Sequence, residues 1–514
     1  MSTNNESTTI KRQKRNEPGS GGDSTTSYNV LILGASYGSL LSTKLLLAGH
    51  DVTLICREGT AKVFNENGSI VRMPIKGRNN DRIELKSSPQ ARSPDQIIFT
   101  TKSSNDDRKD NKNKDDDDNN HKDDDDDDDD DDNDNDNDDN NIYNLVVLAM
   151  QEPQYSAPDV RKLVQRIAIA KIPVIALTNM PLPPFLARIP GLEKVMIAPS
   201  SSKKQIDDDD DVNNLSTIRE KIRSCYTDPE LWDEFMMKKS EEDHDDEESS
   251  LFDVGLFSQC SPDPQAYRPT GESPNVLDVR LPTNFKAARF ASEHHTAMLR
   301  QMEHDIQGIR YTDQENNNNT TSIELPVKLR VHDSVFVPLA KWAMLLAGNY
   351  RCIETNETII SIREAVTRDV GMSRRVYNYV VKLCVNLGGK SEDFVPFDKY
   401  LKAAESLKSP SSAAREIASG ATNIERVDKI VALIGSIQQE ERRRRQRKEM
   451  RCQQQSNLQK RVDDKLKVVE NDPTNNDDDN DDNDDAYEDK SLEIIEDIVK
   501  TVDDWLEKNK TKKV

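Results

Sequence analysis

The chain has 514 residues and a formal net charge of −23, but the acidity belongs to four low-complexity runs rather than to the whole protein. The largest run, Asn105–Asn140, holds 21 Asp against five Lys or Arg, and the others are Asp207–Asp211, Glu241–Glu248 and Asp477–Asp485. Runs of like charge repel one another and bury no apolar surface. We therefore predict long disordered acidic inserts, with a partner-binding acidic tail as the alternative.

Composition also excludes several classes of protein. Six scattered cysteines without a CxxC pair are typical of a reducing compartment, and they argue against a disulfide scaffold or a zinc site, so no metal is expected. The sequence has no window of 18 apolar residues, so we expect no membrane partner and a cytoplasmic location. Residues 1–27 form a predicted disordered tail, whose basic cluster Lys11–Arg15 is a solvated segment or, alternatively, a nuclear-import signal.

The first ordered elements form a strand–helix–strand unit. Tyr28–Gly34 is a short apolar run that ends at a glycine, which predicts a buried parallel strand. Ser39–Ala48 has the pattern of a helix closed by Gly49, and Asp51–Cys56 is a second strand rich in branched residues. Because such crossovers are right-handed, the two strands should be parallel neighbours.

The alternation of strands and helices continues beyond the largest acidic insert. We predict a Rossmann-type, doubly wound parallel sheet within an α/β domain at residues 28–334, interrupted by disordered inserts at about 104–141, 205–214 and 239–250. Its further elements are strands at Asn144–Ala149, Pro173–Leu177, Lys194–Ala198, Leu256–Phe257 and Val276–Leu281, and helices at Pro158–Ala170 and Phe285–Ile306.

From Val335 the apolar period changes to 3.6, which predicts an all-α C-terminal domain at residues 335–437 that binds the substrate. Its helices are expected at Leu339–Leu346, after a cap at Ser373, and at Ala413–Ile434. Residues 438–514 should hold an exposed charged helix, an acidic linker and a short helix at Ser491–Lys508. The Arg-rich part of the charged helix is interpreted as a solvated surface, with an anion or nucleic-acid contact as the alternative.

The turn after the first strand carries a glycine pattern suited to phosphate binding. Glycines at a strand–helix junction permit a tight turn and a close approach of backbone amides to pyrophosphate, which the helix N-terminus also attracts. The spacing departs from GxGxxG, so an ordinary strand–helix turn is the alternative. The predicted cofactor-binding residues here are Gly34, Ala35, Ser36, Tyr37, Gly38 and Ser39.

The residue after the second strand indicates which cofactor is bound. An acidic residue there would hold the ribose 2′-hydroxyl of NAD, whereas Arg57 can form a forked contact with the 2′-phosphate of NADP. The adjacent Glu58 could contact a ribose instead. We therefore predict NADP as the cofactor.

At this point the sequence resembles the ketopantoate reductase family. The likeness runs through Gly49–Val52 and Cys56–Arg57, the strand end Leu177–Asn179, the helix Lys341–Asn349 and the segment Ser411–Ile434. It implies an N-terminal NADP-binding Rossmann domain and a C-terminal helical domain like that of 6-phosphogluconate dehydrogenases. Members of the family reduce a 2-keto acid with hydride from NADPH.

The resemblance also implies roles for individual residues. Lys341 matches the family's proton donor to the carbonyl oxygen, Asn179 an asparagine beside the nicotinamide, and Asn349 a polar residue two helical turns after the lysine. Ser412 and Glu425 match substrate-binding positions. Such residues suit the chemistry, because hydride addition builds negative charge on oxygen and a cation that donates a proton stabilises it.

Three positions depart from the family pattern. Gln151, at a predicted cofactor-binding position, replaces a lysine, Leu345 replaces an asparagine, and Met180 replaces a glycine. We therefore expect a divergent NADP-dependent oxidoreductase, with hydride transfer between NADPH and a 2-keto acid or related carbonyl compound. The alternatives are an opine-type dehydrogenase, which reduces an imine, and an inactive nucleotide-binding scaffold or sensor. The expected partner is a small-molecule carbonyl substrate rather than nucleic acid, and the chain could form a homodimer.

Overall fold

A computed structural model describes most of the chain outside the acidic runs. The predicted inserts at 104–141 and 239–250 fall wholly outside the described residues, and the one at 205–214 ends in the first turn of a helix. The described residues are 26–75, 82–99, 143–197, 210–236, 253–315, 319–355, 357–464 and 481–512.

Within these ranges the chain forms fourteen strands. They are β1 Asn29–Leu33, β2 Asp51–Ile55, β3 Ser69–Pro74, β4 Arg82–Ser87, β5 Gln90–Arg92, β6 Leu145–Leu148, β7 Val174–Ala176, β8 Phe257–Ser261, β9 Gln265–Tyr267, β10 Val276–Leu281, β11 Phe285–Ala288, β12 Arg310–Glu315, β13 Asn319–Glu324 and β14 Leu329–His332.

The α-helices are spread over the same ranges. They are α1 Gly38–Ala48, α2 Glu58–Asn67, α3 Pro158–Ile169, α4 Pro183–Leu186, α5 Glu193–Met196, α6 Asp210–Arg223, α7 Pro229–Asp233, α8 Glu293–Gln307, α9 Lys341–Met344, α10 Ile362–Thr367, α11 Val370–Asn386, α12 Phe397–Ala404, α13 Ser412–Ala418, α14 Val427–Asp464 and α15 Asp481–Thr511. None of the helices in the described ranges has the length and apolar character needed to cross a bilayer.

The main sheet has eight strands in the order β14-β11-β8-β7-β6-β1-β2-β5. The six from β8 to β5 pair in parallel, and β11 pairs antiparallel to β8. Counted along the chain, those six strands follow the order 3-2-1-4-5-6 of a dinucleotide-binding sheet. The prediction of a Rossmann-type domain followed by a helical C-terminal part is therefore confirmed.

The apolar runs form these strands because both faces of the sheet are covered. In β1, the four residues Val30–Leu33 are fully buried, with odd- and even-numbered side chains in two separate core clusters. Two smaller sheets flank this core: β4-β3-β10-β9 and the hairpin β12-β13. Strands β3, β4 and β5, which lie between α2 and the first acidic insert, were not predicted from the sequence.

Two predictions in the middle of the chain are wrong. The predicted strand Lys194–Ala198 is not formed, because its first three residues lie in the short helix α5, Glu193–Met196, and Ala198 falls outside the described residues. The predicted helix Phe285–Ile306 begins with a strand instead, since Phe285–Ala288 pairs with β8 and β14, and the helix starts only at Glu293. At Phe285–Ala288, pairing with two neighbouring strands overrides the helical pattern.

Two helix boundaries in the C-terminal part also differ from the prediction. Ser373 does not cap α11, because Asp369 accepts the hydrogen bond from the Met372 amide at 2.8 Å and Ser373 lies inside the helix. The predicted helix Ala413–Ile434 is broken into α13 and α14 by a segment in which Gly420 adopts a left-handed φ of 88°. The break matters because Glu425 lies in this segment.

Helix α15 is longer than the predicted Ser491–Lys508 and packs along α14 and α11. Its apolar side chains Leu492, Ile495, Val502 and Trp505 are buried. Asn509, near its end, donates hydrogen bonds to the carbonyls of Ile417 and Ala421, each at 2.8 Å. The C-terminal helix thus covers the segment that carries Glu425.

Candidate active site

The glycine turn Gly34–Ser39 joins β1 to α1 at the point where strand order reverses, which is where ligands bind in such sheets. Gly34 has a φ of 109°, and a Cβ there would lie 2.6 Å from Met150 Cγ and 2.8 Å from the Ala149 carbonyl oxygen. Any larger residue would therefore separate β1 from the end of β6.

Gly38 has the second role that a dinucleotide turn requires, close packing of helix on strand. A Cβ at this position would lie 2.6 Å from Ile32 Cγ2. Ser36 is exposed, its carbonyl accepts a hydrogen bond from Ser39 Oγ at 2.8 Å, and the first turn of α1 contains no acidic residue. The departure from GxGxxG falls at the exposed Ser36 and at the buried Ser39, and the helix end is free of negative side chains.

Arg57 occupies the N-cap position of α2, two residues after the end of β2, and its side chain is exposed. Among the described residues no carboxylate pairs with it. Arg268, which follows β9, lies close enough that the charge of Arg57 adds to burial in lowering the pKa of Arg268. Two guanidinium groups near the end of β2 form a basic surface, and only Arg57 of the two was predicted from the sequence.

At the end of β6, Gln151 contacts the helical part of the chain. Its Nε2 donates to Glu416 Oε1 of α13 at 2.6 Å. Burial raises the pKa of Glu416 above its ordinary value. Gln151 therefore links the edge of the Rossmann sheet to α13, in addition to the cofactor role predicted for it.

A buried cluster around Glu425 lies at the ends of β6 and β7. Glu425 is 8% exposed, and its carboxylate accepts hydrogen bonds from Asn179 Nδ2 at 3.2 Å and from the backbone N–H of Glu152. Burial raises the pKa of Glu425 to about 7, and the nearby charge of Glu152 adds to the shift. Within the described ranges Asn179 Oδ1 is buried and has no hydrogen-bond partner, so an acceptor is left available at this point.

Lys341 is directed to the same cluster from the first helical segment of the C-terminal part. Its Nζ donates to the Pro262 carbonyl at 2.7 Å. Burial lowers the pKa of Lys341, while the carboxylates of Asp263 and Glu425 act in the opposite direction. A cation, an amide and a carboxyl group of raised pKa are thereby brought to one region at the carboxyl edge of the sheet.

The two remaining predicted residues, Asn349 and Ser412, are not shown to contact this cluster. Asn349 ends a π-helical turn, Leu345–Asn349, which interrupts the steps of four that relate it to Lys341. Its backbone carbonyl accepts from Ser411 Oγ at 2.7 Å. Ser412 is exposed and lines a cavity of about 650 Å³ together with Glu416. Their predicted roles stay predictions.

Two functional candidates had no sequence signal. Glu152 is 2% exposed, and its carboxylate accepts from the Thr227 amide and hydroxyl, both at 2.9 Å. Tyr350 is buried and its hydroxyl donates to the Glu425 carbonyl at 2.6 Å. Both residues contact parts of the chain that are distant in sequence. In the described part of the chain, no group of three His, Cys, Asp or Glu side chains has the geometry of a metal site.

Glu425→Gln is expected to stabilise the protein at alkaline pH. The folded-state pKa of about 7 lies above the ordinary 4.5, so the ionised carboxylate destabilises the folded state. This destabilisation grows as the pH rises from 4.5 to about 7 and is complete above pH 7. Removing the charge should raise the free energy of unfolding by about 3 kcal/mol at about pH 8.5 and by little at about pH 4.5. Urea unfolding at the two pH values measures this. Glu364→Gln, at an exposed carboxylate, is the control, and an equal gain at both pH values would contradict the account.

Comparisons with known proteins agree with the N-terminal pattern. The family model "Ketopantoate reductase PanE/ApbA" matches residues 30–118. No curated protein matches the sequence.

Solved structures similar to the chain include three dehydrogenases or reductases. A probable 2-dehydropantoate 2-reductase from Bacillus subtilis has 11% identity and a TM-score of 0.39, covering 80% of this chain and 94% of its own. The 2-dehydropantoate 2-reductase from Geobacter metallireducens has 11% identity and a TM-score of 0.43, covering 79% and 93%. A D-mandelate dehydrogenase with NADH and anilino(oxo)acetate has 10% identity and a TM-score of 0.40, covering 92% and 99%.

With TM-scores below 0.5, these likenesses add nothing to the fold assignment, which rests on strand order and connections. The family model is different, because it matches the sequence of the segment that holds the glycine turn, β2 and Arg57. It confirms the predicted resemblance in this segment: residues 30–118 are similar to the ketopantoate reductase family.

Proposed function

We propose that the protein is an NADP-dependent oxidoreductase that transfers hydride between NADPH and a 2-keto acid or a related carbonyl compound. The observation that carries the proposal is the cluster at the carboxyl edge of the sheet, where Asn179 donates to Glu425 and Lys341 lies within range of the same carboxylate. The glycine turn opens on the same edge.

The residues present fit a dinucleotide. Gly34 and Gly38 have the close contacts that such a turn requires, the start of α1 lacks acidic side chains, and Arg57 has no carboxylate partner among the described residues. Bound NADPH would supply the hydride. Arg57 is the residue that would hold the 2′-phosphate of NADPH through a forked contact. NADH lacks this phosphate and could not make the contact.

Lys341 is the residue we assign to proton transfer. As the substrate carbonyl oxygen gains negative charge, the ammonium group would stabilise it and donate its proton. Asn179 has a free acceptor, Oδ1, and would orient the substrate. Glu425 can bind a proton near neutral pH, since its pKa is raised to about 7, and it supports the charge of Lys341.

The cofactor assignment is tested by titrating the full chain with NADPH and with NADH, following nicotinamide fluorescence. Arg57→Ala is expected to weaken NADPH binding by about tenfold or more, because a charge-assisted contact is lost, and to leave NADH binding unchanged. Arg300→Ala removes an exposed arginine that pairs with Asp333 and is the matched control.

Two outcomes would count against the proposal in different ways. Equal weakening of NADPH and NADH by Arg57→Ala would remove the NADP preference but leave a dinucleotide enzyme. If neither nucleotide binds the wild-type protein, the oxidoreductase proposal and the nucleotide-binding scaffold both fail, and a partner-binding role becomes the better hypothesis.

A further inference from the structure

A short turn, Ser261–Pro264, connects β8 to β9 and lies between the glycine turn and Lys341. The carbonyl of Pro262 accepts two hydrogen bonds, from Lys341 Nζ at 2.7 Å and from the Tyr37 hydroxyl at 3.0 Å. The Tyr37 hydroxyl also contacts the Pro264 carbonyl. The single proton of the Tyr37 hydroxyl is shared between these two carbonyls, and the second lone pair of the Pro262 oxygen remains for Lys341.

The same turn presents a carboxylate beside the lysine. Asp263 forms an ion pair with Lys286 of β11, with Oδ2 and Nζ 2.9 Å apart, and its other oxygen accepts from Ser261 Oγ. The side chains of Asp263 and Lys286 are only 18% and 29% exposed, so their charges are weakly screened. Asp263 is therefore held in one orientation from both sides.

Four groups act electrostatically on the Lys341 ammonium. Asp263 and Glu425 favour its charged form, Lys286 opposes it, and Cys260 is a buried thiol whose own pKa burial raises, so it stays neutral. Asp263 is thus the carboxylate next to the carbonyl that binds Lys341, and Lys286 is its counter-charge. These two residues should influence Lys341 in opposite directions.

We propose that Asp263 is a positioning residue for Lys341: the Ser261–Pro264 turn holds the ammonium through the Pro262 carbonyl, Asp263 supplies the negative charge beside it, and Tyr37 ties this turn to the glycine turn. The importance of Lys341 for catalysis rests on the proposed function. The arrangement of the turn does not depend on it, because the contacts involve only side chains and carbonyls of this chain.

The test compares two variants of opposite expected sign. In Asp263→Asn the shape of the side chain is kept and the charge is lost, so the titration midpoint of Lys341 should fall by about one pH unit. In Lys286→Met a repelling cation is lost and Asp263 loses its partner, so the midpoint should rise by about half a unit or more. The midpoint is measured on the full chain by pH-dependent labelling of amines with a limiting reagent, quantified by mass spectrometry of the Lys341 peptide.

Opposite shifts would support the proposal, since loosening of the turn alone would move both variants the same way. Unchanged midpoints, or shifts of equal sign, would overturn it. Asp233→Asn, at a half-buried carboxylate paired with Arg223, is the matched control and should leave the Lys341 midpoint where it is.

The labelling result separates this inference from the proposed function. If the wild type oxidises NADPH with a carbonyl substrate, the alkaline limb of its rate should move to lower pH in Asp263→Asn and to higher pH in Lys286→Met. If the midpoints shift oppositely but no variant or wild type binds NADPH, the oxidoreductase proposal fails while the positioning of Lys341 by Asp263 stands.

Discussion

Replacing Lys341 by Met is expected to lower the rate of hydride transfer by about 10³-fold. Met has nearly the length of Lys without the ammonium, so the variant removes the proton and the charge that would stabilise the developing oxyanion while keeping the apolar stem. The fold should tolerate the change, because burial disfavours the charged form of Lys341 in the first place. Single-turnover oxidation of NADPH with a 2-keto acid measures the rate.

Lys44→Met is the matched control for this variant. Lys44 is also a buried lysine bound to a carbonyl, with its Nζ 2.6 Å from the Pro326 oxygen, and burial lowers its pKa to about 7. It lies on α1 and contacts the segment before β14 rather than the Glu425 cluster. The control should keep the wild-type rate to within about threefold. If Lys341→Met also keeps the wild-type rate, Lys341 is a structural lysine, and Glu425 becomes the candidate proton donor.

The parts of this fold that can be predicted from sequence are those set by local patterns. The unit β1–α1–β2 follows from an apolar run, a glycine and a branched run within thirty residues, and its pairing needs only the right-handed crossover. By contrast, the break between α13 and α14 has no counterpart in the apolar period, since Ile417, Ile424 and Val431 keep helical spacing across it. There, tertiary contacts of Glu425 and Arg426 override the pattern.

The candidate site divides in the same way. Lys341, Asn179 and Glu425 come from resemblance to a family, because their spacing alone does not bring them together. Their structural neighbours Pro262, Asp263 and Glu152 have no sequence signal, because their contacts are distant along the chain. Pro262 and Lys341 lie 79 positions apart, and Glu152 and Glu425 are still further apart. Strand order supplies this information, because it brings the ends of β6, β7 and β8 to one edge.

Arg426→Met is expected to destabilise the helical part by about 3–5 kcal/mol, the largest effect on stability that we predict. Arg426 is 6% exposed and forms a two-point contact with Asp428, with Nε–Oδ1 and Nη2–Oδ2 distances of 3.0 and 2.7 Å. It also pairs with Asp503 of α15. Asp428 is completely buried, so removal of the guanidinium leaves a carboxylate with neither water nor a cation.

The double variant Arg426→Met/Asp428→Leu distinguishes a lost attraction from an uncompensated charge. If the loss comes from the orphaned carboxylate, the second substitution should recover most of the free energy of unfolding measured in urea. Asp503→Asn is the matched single variant and should cost much less, because that carboxylate is 42% exposed and also pairs with Lys429. Failure of the double variant to recover stability would instead assign the loss to packing around Arg426. Since Arg426 follows Glu425 directly, recovery of stability without recovery of activity would show that this ion pair also orients the Glu425 carboxyl group in the candidate site.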